Sequence, residues 1–477
     1  MQLLKIGIVG GGFSGIITAI QLIQKAEIPL SVSIVNERET LCKGIAFNAY
    51  SDKHLLNVIA GKMSAFPDKP GNFIDWVLRQ PGYNVMDRTL LANSFLPRRL
   101  YGQYLSELWA EYTELATQKN IHISILDATV LDLELQDDFV SLWLDNDQHV
   151  SFNEVVIATG NHLPRNPAIA DMNFYQSSNY FGDPWKQDAV RNVDEHYPVL
   201  IIGNGLTMVD TVLGLLESGY KHDIYSISPN GFNILPHRHN GLTYTKLTEE
   251  LHDSMRLTEL VALVHKHVKA VREFGVTAEP VIDSLRPHTQ KFWQSFTDEE
   301  KLLFMKRFRH LWGVARHRIP LHTHDKLQQL RIEGRLHIVS GKLLNMTDRE
   351  DAVLVEYNDK KHHQRKVLSV GRVINCTGPE TDLMLMSNNF LKNCLLKNII
   401  SQDPLKLGIR ADTQTYQVKN KEGFCAANVY TIGSNLKGEL WESTAVNELR
   451  LQADKLAATI LQKYISVKAL TVLPQPV

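Results

Sequence analysis

Two short stretches set the terms for any fold this chain can adopt: "KIGIVGGGFSGIITA" near its start and "VLIIGNGLTMVD" at residues 199–210. Each is an apolar run of strand character, then glycines one residue apart, then an apolar helical pattern. In the first, Gly10, Gly12 and Gly15 keep G-x-G-x-x-G spacing. Gly10 permits a tight turn, Gly12 lets backbone N–H groups approach a pyrophosphate, and Gly15 lets the helix lie close to the strand. The helix N-terminus adds partial positive charge toward the phosphates. The pattern predicts an α/β fold with a parallel sheet and a dinucleotide at its strand ends.

The next strand, "LSVSIVNERE", follows at the right distance, roughly twenty residues on, and ends in Asn36 and Glu37. Glu37 is the better acceptor for two ribose hydroxyls, while Asn36 stands at the usual place; both are candidates. The second cradle has Gly203 and Gly205 but Met208 where the third glycine belongs. A bulkier residue there holds helix and strand further apart. Around this cradle lie "EVVIATGNHLPRNP" (154–167) and "GRVINCTGPETD" (371–382), apolar strands ending in Thr159-Gly160 and Thr377-Gly378. Both are read as crossings between two nucleotide-binding domains. "NVYTIGSNLKG" (428–438) is a further strand, ending in Gly433 and followed by a long helical pattern.

At 477 residues the chain has material for two or three domains. Lys plus Arg (51) balance Asp plus Glu (52), so no basic field points to nucleic acid. The apolar stretches are too short to span a bilayer, and the N-terminus lacks signal-peptide features, so a cytoplasmic location and no membrane partner are expected. The four cysteines form no C-x-x-C pair, which argues against a zinc ribbon and against a dithiol redox centre. The tail "TVLPQPV" looks frayed.

The two cradles, the two Thr-Gly turns and the Gly433 strand end, in this order, resemble two-dinucleotide-binding-domain flavoproteins. More closely, "HLLNVIAGKMSAFPDKPGNFIDWV", "FLPRRLYGQYL", "GNGLTMVD", "DSLRP", "RHRIP" and "GELWESTAVNELRLQA" resemble the bacterial FAD/NAD(P)-binding oxidoreductase family. That family is related to N-hydroxylating and class B flavin monooxygenases. The resemblance implies two Rossmann-like domains of glutathione-reductase type with a helical insertion. It further implies FAD in the first cradle and NADPH or NADH in the second, bringing its hydride to the flavin.

The implied domains are an FAD-binding domain in two parts (1–190 and 371–477), an NAD(P)-binding domain (191–235 and 326–370) and a helical insertion, a substrate lid, at 236–325. Besides the glycines and the Asn36/Glu37 pair, the implied FAD contacts are Phe13, Ser14, Asn57, Met63, Ser64, Arg98 (or Arg99), Val130, Thr159, Gly160, Gly433, Glu442 and Ser443. Gly203, Gly205, Leu206 and Thr207 are the implied contacts of the second cradle. Relatives place arginines after the strand "KHDIYSIS" to clamp the 2′-phosphate of NADPH. Here Pro229 and Asn230 stand instead, and the choice between NADH and NADPH stays open.

The insertion is rich in His and Arg. His237-x-His239 and His322-x-His324 have no accompanying carboxylate or Cys set, so no metal is expected. Arg286, Arg316 and Arg318, beside Pro-bounded turns, are candidates for an anion-recognising lid that binds a substrate carboxylate, a phosphate or the NAD(P) itself. Three functions follow from this reading. The first is an NAD(P)H-dependent FAD monooxygenase that uses O₂ on a small molecule such as an amine. The second is a flavin reductase or dehydrogenase without oxygenation. The third is a non-catalytic nucleotide-binding sensor.

Overall fold

The computed structural model describes residues 3–238 and 241–471; His239 and residues 472–477 of the C-terminal tail lie outside them. The chain divides into two units, each assembled from separate segments. The first comprises Met1–Ala49, Val58–His162 and Thr381–Val477; the second comprises Tyr50–Asn57 and Leu163–Glu380.

The first unit is built on a six-stranded sheet. From one edge to the other run Gln417–Lys419, Cys425–Thr431, Glu154–Ile157, Leu4–Val9, Leu30–Val35 and His122–Leu126. All neighbours are parallel except the Gln417–Lys419 edge. A parallel sheet is covered on both faces, so its strands read as continuous apolar runs; every residue of Leu30–Val35 is buried. Helix Phe13–Lys25 is buried from Phe13 to Ile23, with Ile16, Ile17, Ile20 and Ile23 fully enclosed. A second sheet, antiparallel, joins Val130–Leu135, Val140–Leu144 and His149–Phe152.

The second unit has a seven-stranded sheet ordered Gln364–Val370, Val353–Asp359, Leu336–Asp348, Ile224–Ser228, Val199–Ile202, Arg372–Asn375 and Tyr180–Phe181. Its last five members are parallel, and the first two form an antiparallel hairpin grown from the long Leu336–Asp348 strand. Between Ile224–Ser228 and Leu336–Asp348 the chain is helical, from Lys246–Glu249 to Leu321–Ile332. Helix Asp298–Arg307 begins with a reciprocal cap: Glu300 N donates to Thr297 Oγ1 (3.3 Å) and Thr297 N donates to the Glu300 carboxylate (3.1 Å).

The boundaries differ from those expected at 190 and 371. Residues 163–190 belong to the second unit because Tyr180–Phe181 pairs with Arg372–Asn375. Arg372–Asn375 itself pairs with Val199–Ile202, so the second Thr-Gly turn closes the second sheet rather than reopening the first. Tyr50–Asn57 also joins the second unit, where the Tyr50 ring lies against Gly214 and His54 Nε2 meets the Asp210 carbonyl at 3.0 Å. Among the described residues no helix is long and apolar enough to cross a membrane.

Two glycine cradles and their supports

In each sheet the glycine turn leaves the strand at which the connections reverse direction. Val9 is flanked by Val35 on one side and Ile157 on the other; Ile202 is flanked by Ile227 and Asn375. Such a switch point opens a crevice beyond the strand ends, where ligands of doubly wound sheets bind.

The leading glycines are squeezed. A Cβ on Gly10 would lie 2.4 Å from the Ala158 carbonyl oxygen, and one on Gly203 would lie 2.3 Å from the Cys376 carbonyl oxygen. Both also have positive φ, 105° and 112°. The middle glycines are the opposite case. Within 4 Å an added Cβ would meet only the Gly44 Cα at Gly12, 3.6 Å away, and nothing at Gly205. Both glycines cap their helices in extended conformation, and no side chain caps either helix start. Packing therefore does not demand glycine at 12 or 205, and bare backbone N–H groups stand at both helix starts, the arrangement that suits an anion. The fit for a dinucleotide pyrophosphate is met in both cradles.

The third position separates them. A Cβ on Gly15 would come 1.9 Å from the Gly10 carbonyl oxygen, whereas the second helix carries buried Met208 there. Of the other second-cradle candidates, Leu206 and Thr207 form the half-buried first turn of helix Leu206–Glu217.

Around the first cradle, Gly11 N donates to Asn36 Oδ1 (2.8 Å), and Asn36 Nδ2 donates to the Glu37 carbonyl (2.6 Å) and Thr40 Oγ1 (3.0 Å). The Asn36 amide is thus spent on shaping the loop, while Glu37 is exposed. Phe13 is buried against Phe47 and Tyr101, and Ser14 lies under Gly433, whose added Cβ would be 2.9 Å from the Ser14 hydroxyl.

Gly433 is held by a closed ring of bonds. Gly433 N donates to Gln452 Oε1 (3.1 Å), Gln452 Nε2 to Ser443 Oγ (2.7 Å), and Ser443 Oγ to the Gly433 carbonyl (2.7 Å). Glu442, with φ 67°, turns the chain beside it. On the same turn Ser434 Oγ is buried and has no hydrogen-bond partner among the described residues. Thr159 faces this turn: Asn435 Nδ2 donates to Thr159 Oγ1 (3.1 Å) and Thr431 Oγ1 (3.2 Å), and Gly160 follows. His162 Nε2 stands 3.5 Å from Thr159 Oγ1. Burial pulls the His162 imidazole down to about 4, so the ring is neutral at pH 7.

The remaining expected contacts lie on several separate elements. Met63 and Ser64 are buried, and the Ser64 hydroxyl donates to the Lys69 carbonyl (2.6 Å). Asn57 belongs to the second unit, where its carbonyl oxygen lies 3.0 Å from His237 Nε2. Val130 is buried in the core at the start of the antiparallel sheet. Arg98 is half-buried at the first position of helix Arg98–Gln118. The supporting roles of Gly44, Gln452 and Asn435 were not foreseen; each acts through a partner distant in sequence.

In the helical region a cavity of about 480 Å³ is lined in part by His237, Arg238, Glu279 and Arg318. Arg318, 3% exposed, pairs with Glu279 (2.8 Å) and Asp283 (2.5 Å). Its charge is balanced by these two carboxylates. Burial pushes the Glu279 carboxyl up, but a hydrogen bond from His237 and the Arg318 charge outweigh it and hold the group below its usual value. Arg286 and Arg316 are half-buried, on the turn Arg286–His288 and at the end of helix Arg309–Arg316. Among the described residues no group of three or more His, Cys, Asp and Glu is placed to hold a metal ion.

Comparison with known proteins agrees with the geometry. Residues 7–162 match the FAD-NAD(P)-binding family model. The curated protein YdhS of Escherichia coli, described as uncharacterized, is 26% identical over 253 residues, 51% of this chain. The match spans only 44% of that relative's length. Among solved structures, the reduced form of ornithine hydroxylase from Pseudomonas aeruginosa aligns over 97% of this chain and 100% of its own, at 14% identity and a TM-score of 0.66. The ornithine N-hydroxylase of Kutzneria sp. 744, solved with reduced FAD, NADP+ and L-orn, covers 97% and 100% at 14% identity and TM-score 0.63. L-lysine 6-monooxygenase from Pseudomonas syringae covers 96% and 99% at 16% identity and TM-score 0.64. At these identities the structures establish the fold, that of flavoproteins with two dinucleotide-binding domains.

Proposed function

We propose that this chain, which carries an FAD-NAD(P)-binding domain over residues 7–162, is an NAD(P)H-dependent FAD oxidoreductase acting as a monooxygenase on a small-molecule amine. The observation that carries the reading is the pair of open middle glycines, Gly12 and Gly205, each at a helix start without a side-chain cap. A chain with one such cradle binds one dinucleotide; two cradles call for a donor and an acceptor of electrons. The amine is supported by the ornithine and lysine hydroxylases that share the fold.

When bound, FAD accepts a hydride from the nicotinamide and activates O₂; the protein positions it and controls access. The first-turn N–H groups after Gly12 bind the FAD pyrophosphate, and Glu37 takes the ribose hydroxyls because Asn36 is committed to Gly11. The turn Gly433–Leu436, locked by Gln452 and Ser443, closes over Ser14 at the start of the same helix. In the second unit the N–H groups after Gly205 bind the nicotinamide dinucleotide.

All four cysteines are free and three are buried. Burial raises the Cys42, Cys376 and Cys394 thiols to about 12, so no thiolate pair stands ready for disulfide reduction. The test is the visible spectrum of the purified protein under anaerobic conditions, with NADPH or NADH added, followed by aerobic assay with diamines and basic amino acids. Flavin bands that bleach, then O₂ uptake with a hydroxylamine product, are expected. Bleaching without any amine-dependent product would leave a reductase. A colourless protein that fails to take up FAD would reject the reading.

A further inference from the structure

The second cradle raises the question of which nicotinamide dinucleotide it takes. At the end of the second strand of such a fold there is either a carboxylate for the ribose 2′-hydroxyl or a nearby arginine for a 2′-phosphate. Strand Ile224–Ser228 ends in Ser228, Pro229 and Asn230, which supply neither.

The place is filled from another direction. Strand Leu336–Asp348 runs parallel to Ile224–Ser228 with Ser340 opposite Ser228, then continues into the antiparallel hairpin of Val353–Asp359 and Gln364–Val370. The tip of that hairpin therefore returns to the carboxyl end of the parallel strands. Lys360 N donates to the Ser340 carbonyl (2.9 Å), and Lys360 Nζ donates to the Pro229 carbonyl (2.7 Å). Ser340 Oγ donates to the same carbonyl (3.3 Å). The loop is pinned there: Gly231 N donates to Ser228 Oγ (3.0 Å), and a Cβ on Gly231 would come within 2.9 Å of the Ser340 side chain.

The charges at the tip are already sorted. Asp359, the acid at the turn, is buried and held by Lys366 Nζ (2.6 Å) and His362 Nδ1 (2.8 Å). Lys360 is exposed, and among the described residues its ammonium meets a neutral carbonyl rather than a carboxylate. It is a positive charge with no carboxylate partner among the described residues, at the strand end where a coenzyme phosphate would lie. A lysine ammonium is a point charge well suited to phosphate, needing no bidentate geometry.

We propose that the hairpin supplies the 2′-phosphate receptor of this site. Lys360 Nζ and the Ser340 hydroxyl leave the Pro229 carbonyl to bind a 2′-phosphate, giving the protein a preference for NADPH. The proposal rests on the nucleotide-binding reading of the second unit, and the experiment separates the two. Calorimetry on the flavin-loaded protein compares ADP-ribose with 2′-phospho-ADP-ribose, neither of which can reduce the flavin.

The wild type is expected to bind the phosphorylated ligand at least about tenfold more tightly, the scale of a charge-assisted hydrogen bond. Lys360→Ala removes that ratio and leaves ADP-ribose affinity unchanged, which also reports an intact cradle; Lys360→Arg keeps the ratio. Equal wild-type affinities, or a ratio unchanged in Lys360→Ala, would overturn the proposal while the cradle stands. Equal loss of both ligands in Lys360→Ala would overturn it as a structural effect. A wild type that binds neither ligand would remove the nucleotide reading and the proposal together.

Discussion

Gly203 sits against Cys376 as Gly10 sits against Ala158: in each pair the carbonyl of the residue before a Thr-Gly turn occupies the space a side chain would need. The first glycine of each cradle is thus fixed by the protein's own packing and the second is not, and the difference is measurable.

Gly15→Ala forces a methyl group to 1.9 Å from the Gly10 carbonyl oxygen, which is backbone and cannot swing away. We expect a loss of about 3 kcal/mol in stability, at the upper end of overpacking costs, together with loss of flavin. Gly12→Ala meets only the Gly44 Cα, at an ordinary contact distance of 3.6 Å, and the flavin-free protein should keep its stability within about 0.5 kcal/mol while failing to retain FAD. Urea denaturation of the apoprotein and the flavin-to-protein absorbance ratio check both. Equal stabilities for the two variants would contradict the assignment.

His162 gives a pH signature. Its pKa falls from 6.5 unfolded to about 4 folded, so the unfolded chain binds more protons across that interval. Stability contributed by the neutral ring is present above pH 6.5 and lost as the pH falls toward 4. The loss is about 3 kcal/mol at full extent. Urea midpoints from pH 7 to pH 4 should therefore fall more steeply for the wild type than for His162→Gln. Parallel curves would show that burial does not perturb this imidazole.

Arg318→Met leaves Glu279 and Asp283 facing each other without their shared cation. We expect a cost of about 3 kcal/mol, the scale of breaking a buried pair, and partial recovery in the double variant Arg318→Met/Glu279→Gln. A double-variant cycle on thermal denaturation is the measurement. If Arg318 acted chiefly on a substrate anion, the single variant would instead unfold like the wild type.

Thiol chemistry should be confined to one residue. Cys42, Cys376 and Cys394 are buried with pKa raised to about 12, whereas Cys425 is exposed. Iodoacetamide at pH 8 is expected to label the native protein at Cys425 alone, read by mass spectrometry of the digest. Modification of Cys376 in the native state would mean that the second cradle opens in solution.

What could be read from the sequence was whatever a strand and its following turn encode locally. The Gly10, Gly12 and Gly15 spacing and the Met208 departure are local facts, and the packing bears out the close approach at Gly10 and Gly15. Sheet membership is not local: Arg372–Asn375 looks like any apolar strand before a Thr-Gly turn, and only its pairing with Val199–Ile202 puts it in the second unit. The same limit hid the segment Tyr50–Asn57, which joins that unit through single contacts such as His54 with Asp210. Arg318 was readable as a charge but not as a neutralised one, because its carboxylates come from a helix earlier in the chain. Lys360 lay in an unremarkable polar turn until the hairpin brought it to Pro229.

The order of strands in the first sheet has a further consequence, for synthesis. Strand Cys425–Thr431 lies beside Glu154–Ile157, and the Gly433 turn closes over Ser14. A ribosome releases the Gly10 loop long before the wall that faces it. The first unit must therefore wait for its last segment, and the apolar edge of Glu154–Ile157 stays uncovered throughout that delay.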